Sequence, residues 1–367
     1  MARPAIAVIG AGVVGCLAAR ELAAADPAAR ITVLDRDAIG AGASRRSAGL
    51  HLPRGATPMT RRMSAFSHAY YARLREQHPE LPIYPVGAKL ITDYGHGDLS
   101  DSGYIKPAAA HPVIGGVPHP EVRLPAGTRA WQIAGAHYAD VPALTQAIAA
   151  RLRPRVRFAE GVAVTGLTAG AGSVTVHCAT GEQVLADQVV LAPGPWLAVP
   201  AWRDLVAPLR LRVKKIVALH IERRPAQADE AVIFDAEDAF LLPLAHRGHW
   251  LFSYTCTEWD VDPDALTCGL SAANIKAARD CLRRYSPALA AACRAGRVFC
   301  DAYSTDGEPQ VRAIDEAGRI VFAGGASGSG YRLAPAIGAQ VAALALRDDP
   351  QGLLRSSEGV AGDYQHV

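Results

Sequence analysis

Residues 10–15 constrain this chain more than any other stretch. A short apolar run, Ile6-Ala7-Val8-Ile9, stops at Gly10-Ala11-Gly12-Val13-Val14-Gly15, and an alanine-rich helical stretch continues to Ala25. G-x-G-x-x-G between a predicted strand and a predicted helix is the context in which this spacing binds a dinucleotide. Gly10 permits the tight turn, Gly12 lets a pyrophosphate approach the backbone, and Gly15 lets the helix pack close to the strand. The helix N-terminus adds unpaired N–H groups and a partial positive charge for the phosphates. A second strand, Ile31-Thr32-Val33-Leu34, ends in Asp35, placed to accept hydrogen bonds from ribose hydroxyls and to repel a 2′-phosphate. An ordinary glycine-rich strand–helix turn is the alternative; having strand, helix and Asp35 in register favours the dinucleotide.

At 367 residues the chain can bury a large core and is expected to form two domains. The formal net charge is +3, and the basic residues, mostly arginine, are scattered in short pairs such as Arg45-Arg46. No basic tract is present to track a nucleic-acid backbone, so no nucleic-acid partner is expected. The most apolar window, residues 6–25, is broken by Arg20 and Glu21, which argues against a signal peptide and a membrane span. Seven cysteines, an odd number with no C-x-x-C pair, fit a reduced cytoplasmic thiol set better than a disulfide framework, and no metal site is expected.

After Asp35 comes a turn dense in small residues, Gly40-Ala41-Gly42-Ala43-Ser44, then Arg45-Arg46-Ser47-Ala48-Gly49-Leu50-His51; such a backbone is built to approach something closely. Residues 59–76 read as a helix, and Asp140 caps another over Val141–Leu152. Strands are expected at 89–92, 156–158, 162–167 and 173–178, and one apolar strand over 183–191 leads to Ala192-Pro193-Gly194-Pro195-Trp196. Residues 209–222 alternate apolar and charged, as a half-buried antiparallel strand does. Strands at 240–244 and 250–254, a helix over 271–293 and a strand at 319–323 follow. The last strand enters Gly324-Gly325-Ala326-Ser327-Gly328-Ser329-Gly330-Tyr331-Arg332, and a final helix is expected from Pro335 to Leu346 with proline in its first turn. The layout is nucleotide-binding at both ends with an antiparallel sheet inserted between them.

These motifs resemble the flavoprotein amine oxidase family of the D-amino-acid oxidase type, which includes glycine oxidase and sarcosine oxidase. Four places carry the likeness: Gly10-x-Gly12-x-x-Gly15 with Asp35, the turn from Gly42 to Gly49, the run from Asp187 to Trp196, and Gly324–Pro335. The last is the most specific, being similar to the G-x-S-G-x-G-F-K run of sarcosine oxidases with Arg332 at the lysine position. The resemblance implies an α/β (α+β) fold, with a Rossmann-type FAD-binding domain (1–75, 136–207 and 298–367) interleaved with an antiparallel-sheet substrate domain (76–135 and 208–297). It implies non-covalent FAD, since Cys300 is one residue out of step with the cysteine that links flavin in some sarcosine oxidases. The cofactor residues it implies are Gly10, Gly12, Val13, Val14, Gly15, Asp35, Arg36, Ala43, Ser44, Arg45, Arg46, Ser47, Ala48, Gly49, Val164, Pro193, Gly194, Trp196, Gly325, Gly328, Ser329, Gly330, Tyr331, Arg332 and Leu333. Arg45 and Arg46 either contact phosphate or pack locally. The last helix would point its N-terminus at the flavin pyrimidine ring, where reduction builds negative charge.

The family's reaction passes hydride from an amine C–H to flavin; water hydrolyses the imine, and oxygen is reduced to hydrogen peroxide. No protein acid–base pair is required, and none is assigned. Glycine oxidase's substrate arginine and tyrosine align with Gly328 and Phe240, so both are absent here. Arg332 is the natural replacement carboxylate clamp, because a guanidinium binds a carboxylate bidentately. His51, Arg54, Phe240 and Tyr331 are further candidates to line the substrate space. The expected substrates are glycine, N-substituted (N-carboxymethyl) glycines or related amino acids, the larger ones suiting natural-product pathways. The alternatives are a D-amino-acid dehydrogenase feeding a carrier, a flavin domain modifying a tRNA base, and a nicotinamide enzyme with the same fingerprint.

Overall fold

The computed structural model describes residues 3–93, 99, 103–113 and 119–345. Two large sheets organise them. The first has six strands, ordered Gln310–Ala313, Ile320–Gly324, Gln188–Leu191, Ala5–Ile9, Arg30–Leu34 and Val156–Ala159, parallel except for the antiparallel edge at Gln310–Ala313. Its central strands are near-continuous apolar runs because both faces are covered. Helices Val13–Ala25, Val141–Leu152 and Gly330–Ala345 pack on one face, in a core with Leu17, Leu22, Val33, Leu144 and Ile337. A three-stranded antiparallel sheet, Val164–Ala169, Val174–Cys178 and Gln183–Ala186, covers the other through Val174, Val176, Leu191 and Phe322. The fold is the mixed α/β one expected, with residues from both ends of the chain in one parallel sheet.

The second sheet has eight strands, running from Cys293–Tyr303 through Arg212–Ile221, His249–Trp259, Ala239–Leu244 and Ala231–Phe234 to Ala88–Thr92, Arg129–Ile133 and His111–Pro112. All its pairings are antiparallel except Ala231–Phe234 with Ala88–Thr92. One face packs on helices Ala272–Arg283 and Pro287–Ala292 through Val217, Leu219, Phe252 and Leu282. The long strand Cys293–Tyr303, which straddles residue 298, lies in this sheet throughout its length.

Several elements differ from their sequence expectation for local reasons. Residues 183–191 form two strands in different sheets. Asp187 breaks the run, its N–H bonding the Ala5 carbonyl and its carboxylate accepting the Ala5 N–H, both at 2.7 Å. The helix over 271–293 is two helices, because Pro287 cannot continue the first and Ser286 caps the second through the Leu289 N–H. Strand 209–222 begins only at Arg212, after a 3₁₀ turn over Ala207–Leu209.

The last helix starts at Gly330, not at Pro335, so Pro335 lies inside it; its expected end, Leu346, lies outside the described residues. Proline at this depth deprives the Tyr331 carbonyl of its helical donor. Tyr71 supplies one instead, its hydroxyl donating to that carbonyl at 2.7 Å, while the next amide, Ala336 N–H, donates to Ser67 Oγ at 3.3 Å. The helix Pro58–Gln77 thus satisfies the turn that proline opens, which periodicity alone could not reveal. Among the described residues no helix is long and apolar enough to cross a membrane.

Candidate functional site

The first strand and helix of the six-stranded sheet build one end of a cavity of about 680 Å³. The three motif glycines have different jobs. A Cβ on Gly10, which has φ +103°, would stand 2.2 Å from the Ala192 carbonyl oxygen, and one on Gly15 would stand 1.9 Å from the Gly10 carbonyl oxygen. Those two glycines are required by the protein's own backbone crossing. A Cβ on Gly12 would meet only Ser44 Oγ, at 3.2 Å. Gly12 therefore opens space toward the cavity that the protein itself does not fill, as a cradle for a pyrophosphate requires.

Asp35 stands beside the turn with Oδ2 accepting from Ala11 N–H at 2.6 Å and Oδ1 from Asp37 N–H at 2.9 Å. Each bond uses one lone pair per oxygen, which leaves acceptor capacity toward the cavity for two hydroxyls. Burial raises the Asp35 carboxyl, and the two amides oppose that shift. One helix amide is already taken, since Val13 N–H donates to Ser44 Oγ at 3.0 Å.

Trp196 closes the side of this end. Its ring lies where a Gly42 Cβ would approach to 3.0 Å, the Arg36 guanidinium lies 4.6 Å from its ring centre, and its indole N–H donates to Asp264 Oδ1 at 2.8 Å. Arg36 reaches the same carboxylate with two bonds, of 3.2 and 2.5 Å. Asp264, from the turn after the long strand His249–Trp259, is a site neighbour that the sequence did not single out.

The cavity then runs between the two sheets. The glycine-rich loop before the last helix is strapped to the end of strand Cys293–Tyr303, with Ser327 N–H donating to the Ala302 carbonyl at 3.1 Å and Ser304 N–H to Ser327 Oγ at 3.2 Å. Gly325, Gly328, Ser329, Gly330, Tyr331, Arg332 and Leu333 all line the cavity here. Arg332 is held in the wall by a hydrogen bond to Ser329 Oγ. Among the described residues no carboxylate pairs with it, and desolvation together with the positive charge of Arg54 pulls its guanidinium down to about 10. Arg54 also lines the cavity but bonds Asp235 at 2.8 Å, so part of its charge is already answered. Phe240 faces the same space from the eight-stranded sheet, with Ser253 opposite it in register and Thr255 two residues further along.

Of the residues singled out from sequence, Gly10, Gly12, Val13, Val14, Gly15, Asp35, Arg36, Ala43, Ser44, Ser47, Ala48, Gly49, Val164, Pro193, Gly194 and Trp196 line the cavity as well. Three do not. His51 is fully buried and turned away, because side chains alternate along an extended segment and its neighbours Leu50 and Leu52 take the cavity side. Arg46 donates to the Val298 carbonyl at 3.1 Å, so it packs locally against the eight-stranded sheet. Arg45 is exposed to solvent outside the cavity.

The same alternation bears on covalent attachment. Phe299, Asp301 and Tyr303 share the cavity face of their strand, and Cys300 points to the other face, buried, its thiol pushed up to about 12. A thiol so held is neither placed nor ionised to react. No cysteine lines the cavity among the described residues. Asp301 and Tyr303 were not singled out from sequence; their period of two along a strand was the available signal.

A family model described as FAD dependent oxidoreductase (DAO) matches residues 5–344. Solved structures share the fold. Glycine oxidase from Geobacillus kaustophilus superposes with TM-score 0.77 at 19% identity, covering 95% of this chain and 96% of that one. L-proline dehydrogenase from P. horikoshii gives 0.75 at 19% identity over 96% and 98%, and iminodiacetate oxidase from Chelativorans sp. BNC1 gives 0.73 at 19% identity over 94% and 96%. No curated protein matches the chain.

Proposed function

Because the chain belongs to the DAO family of FAD-dependent oxidoreductases, we propose that it oxidises the C–N bond of a small amino acid, with N-substituted glycines the preferred class. The observation that carries this reading is Arg332: a cationic fork in the cavity wall, half-buried, with no carboxylate partner among the described residues. A charge left unanswered in a desolvated wall fits a site whose counter-ion arrives with the substrate.

FAD is the cofactor, and when bound it supplies the hydride acceptor. The backbone at Gly12 and the remaining acceptors of Asp35 would hold the pyrophosphate and adenosine ribose, with Trp196 and Arg36 shielding that end. The N-terminus of Gly330–Ala345 faces the cavity from the far side and contributes a positive field there. Arg332 would fix the substrate carboxylate through two parallel charge-assisted hydrogen bonds, which leaves the amine-bearing carbon one bond away and limits its orientations. Beyond it, Phe240, Ile233 and Thr255 line space for a substituent on the amine nitrogen. The fold-level likeness to an iminodiacetate oxidase, whose name describes an N-carboxymethyl glycine, agrees with that choice.

The test is peroxide release by FAD-loaded protein across primary amino acids, sarcosine and N-carboxymethyl amino acids. The highest kcat/KM is expected for an N-substituted glycine, with peroxide formed in proportion to substrate. Dye reduction without peroxide would reassign the protein as a dehydrogenase, and no turnover on any carboxylate-bearing amine would refute the role given to Arg332.

A further inference from the structure

Behind the part of the cavity wall formed by Leu50, Leu52 and Tyr331, three histidines from three separate elements converge. His51 and His137 face each other across the antiparallel pairing of Leu50–His51 with His137–Ala139, their rings stacked with centroids 4.4 Å apart and 10° between planes. His68, from helix Pro58–Gln77, also packs its ring against His51, with centroids 5.6 Å apart. One ring nitrogen from each lies within 4.8 Å of the others. His51 Nδ1 and Nε2, His68 Nδ1 and His137 Nε2 are all buried without a hydrogen-bond partner.

Leaving one buried polar atom unsatisfied is costly, and here four such atoms belong to one cluster of three rings. Neighbouring imidazoles do not relieve this by protonation. Burial lowers all three, His137 to about 3, and the nearby Arg75 pushes His68 and His137 further the same way. Each ring is therefore a neutral lone-pair donor, the form in which histidine binds metal.

We propose that His51, His68 and His137 form a binding site for a single divalent metal ion of the imidazole-preferring class, with zinc as the occupant. Three nitrogens suit zinc, whereas calcium and magnesium take oxygen ligands. At Zn–N distances of about 2.0–2.1 Å, tetrahedral ligand nitrogens stand about 3.3 Å apart. Closing from 4.8 Å takes ring rotations, with His51 or His137 tilting out of the stack. Zinc has no d-electron preference of its own and tolerates such a crowded set. Water completes the coordination, and the half-buried His68 gives the ion its way in.

His51 and His137 do not line the cavity, and neither does His68, so the ion is structural. It ties the two short strands and the long helix together directly behind Tyr331, whose ring lies 6.1 Å from that of His137. Arg75 beside His68 and His137, and Arg332 beside His51, oppose a dication as they oppose a proton.

The experiment uses untagged, FAD-loaded protein, stripped with chelator, desalted and titrated with zinc chloride alone. Bound zinc per chain and Tm are read out, with flavin absorbance as the check of folding. One zinc per chain and a Tm rise of several degrees are expected. His68→Ala and His68→Gln should keep FAD and lose both responses, and His68→Cys, which restores a zinc ligand, should recover binding. Absence of stoichiometric zinc in the wild type, zinc retained equally by the His68→Ala and His68→Gln variants, or zinc without a Tm response would each overturn the site.

Discussion

Arg332 is expected to be a residue that the fold carries at a cost and the reaction needs. Its guanidinium is drawn down from 12.5 to about 10, first by desolvation and then by Arg54. A folded pKa below the unfolded one means that the charged form is disfavoured by folding. At neutral pH, below both values, the penalty is present in full; it is lifted only as pH rises through the folded pKa. The shift corresponds to an upper limit of ~3 kcal/mol. Arg332→Met, which keeps most of the stem volume, should therefore leave the FAD-free protein as stable as wild type or up to a few kcal/mol more stable. For FAD-loaded enzyme the same change removes the charged partner of the substrate carboxylate, at about 2–5 kcal/mol, or roughly 30- to several-thousand-fold in kcat/KM. Arg332→Lys should recover part of that loss, since the charge survives without the fork. Steady-state kinetics on FAD-loaded variants and chemical denaturation of the FAD-free proteins are the paired assays. If Arg332→Ala or Arg332→Met keeps kcat/KM within about threefold of wild type, under 1 kcal/mol, the anchor lies elsewhere. Arg54, already bound to Asp235, would then be the next group to test. If Arg332→Met instead destabilises the FAD-free protein by several kcal/mol, the wall is not under the electrostatic strain described here.

The motif glycines should separate by phenotype. Gly15→Ala would force a Cβ onto a carbonyl oxygen 1.9 Å away and should yield little folded protein, whereas Gly12→Val should fold and release no FAD on denaturation. Circular dichroism and flavin content read the two outcomes, and normal FAD in Gly12→Val would move the phosphates elsewhere. Asp35→Ala should weaken FAD retention yet leave turnover at saturating FAD nearly unchanged, as followed by dialysis and kinetics; a large fall in saturated turnover would give this carboxylate another role. Asp301, raised to about 7 by burial, favours the protonated form in the folded protein, so its stability contribution is present at low pH and lost as pH rises toward 7. Asp301→Asn should therefore raise the Tm of FAD-free protein at pH 8 and do little at pH 4; an equal effect at both would show that the carboxyl is not desolvated.

The first strand, the glycine turn, Asp35 and the helix capped by Asp140 were all legible in the sequence. Each depends on residues within one or two turns of one another: a β-branched run, a positive-φ glycine, and a side chain that reaches an amide three residues on. The same locality explains the errors. One apolar run over 183–191 could not show that Asp187 would bond to Ala5 and send its two halves into different sheets, because that partner is 182 residues away. Pro335 reads as a helix start until Tyr71 and Ser67, from another helix, satisfy the turn around it.

For the proposed site, the glycine spacing and the carboxylate of the end assigned to the cofactor were read from sequence, and the structure brings them into one cavity. Tertiary structure decided the far end. Alternation along Leu50–Leu52 turned His51 away from the cavity and toward His68 and His137, and alternation along Cys293–Tyr303 brought in Asp301 in place of Cys300. Which face of a strand meets a cavity depends on the register it adopts against distant strands, and a shift of one residue reverses every side chain. Composition and local spacing carry no record of that choice; only the packed sheets do.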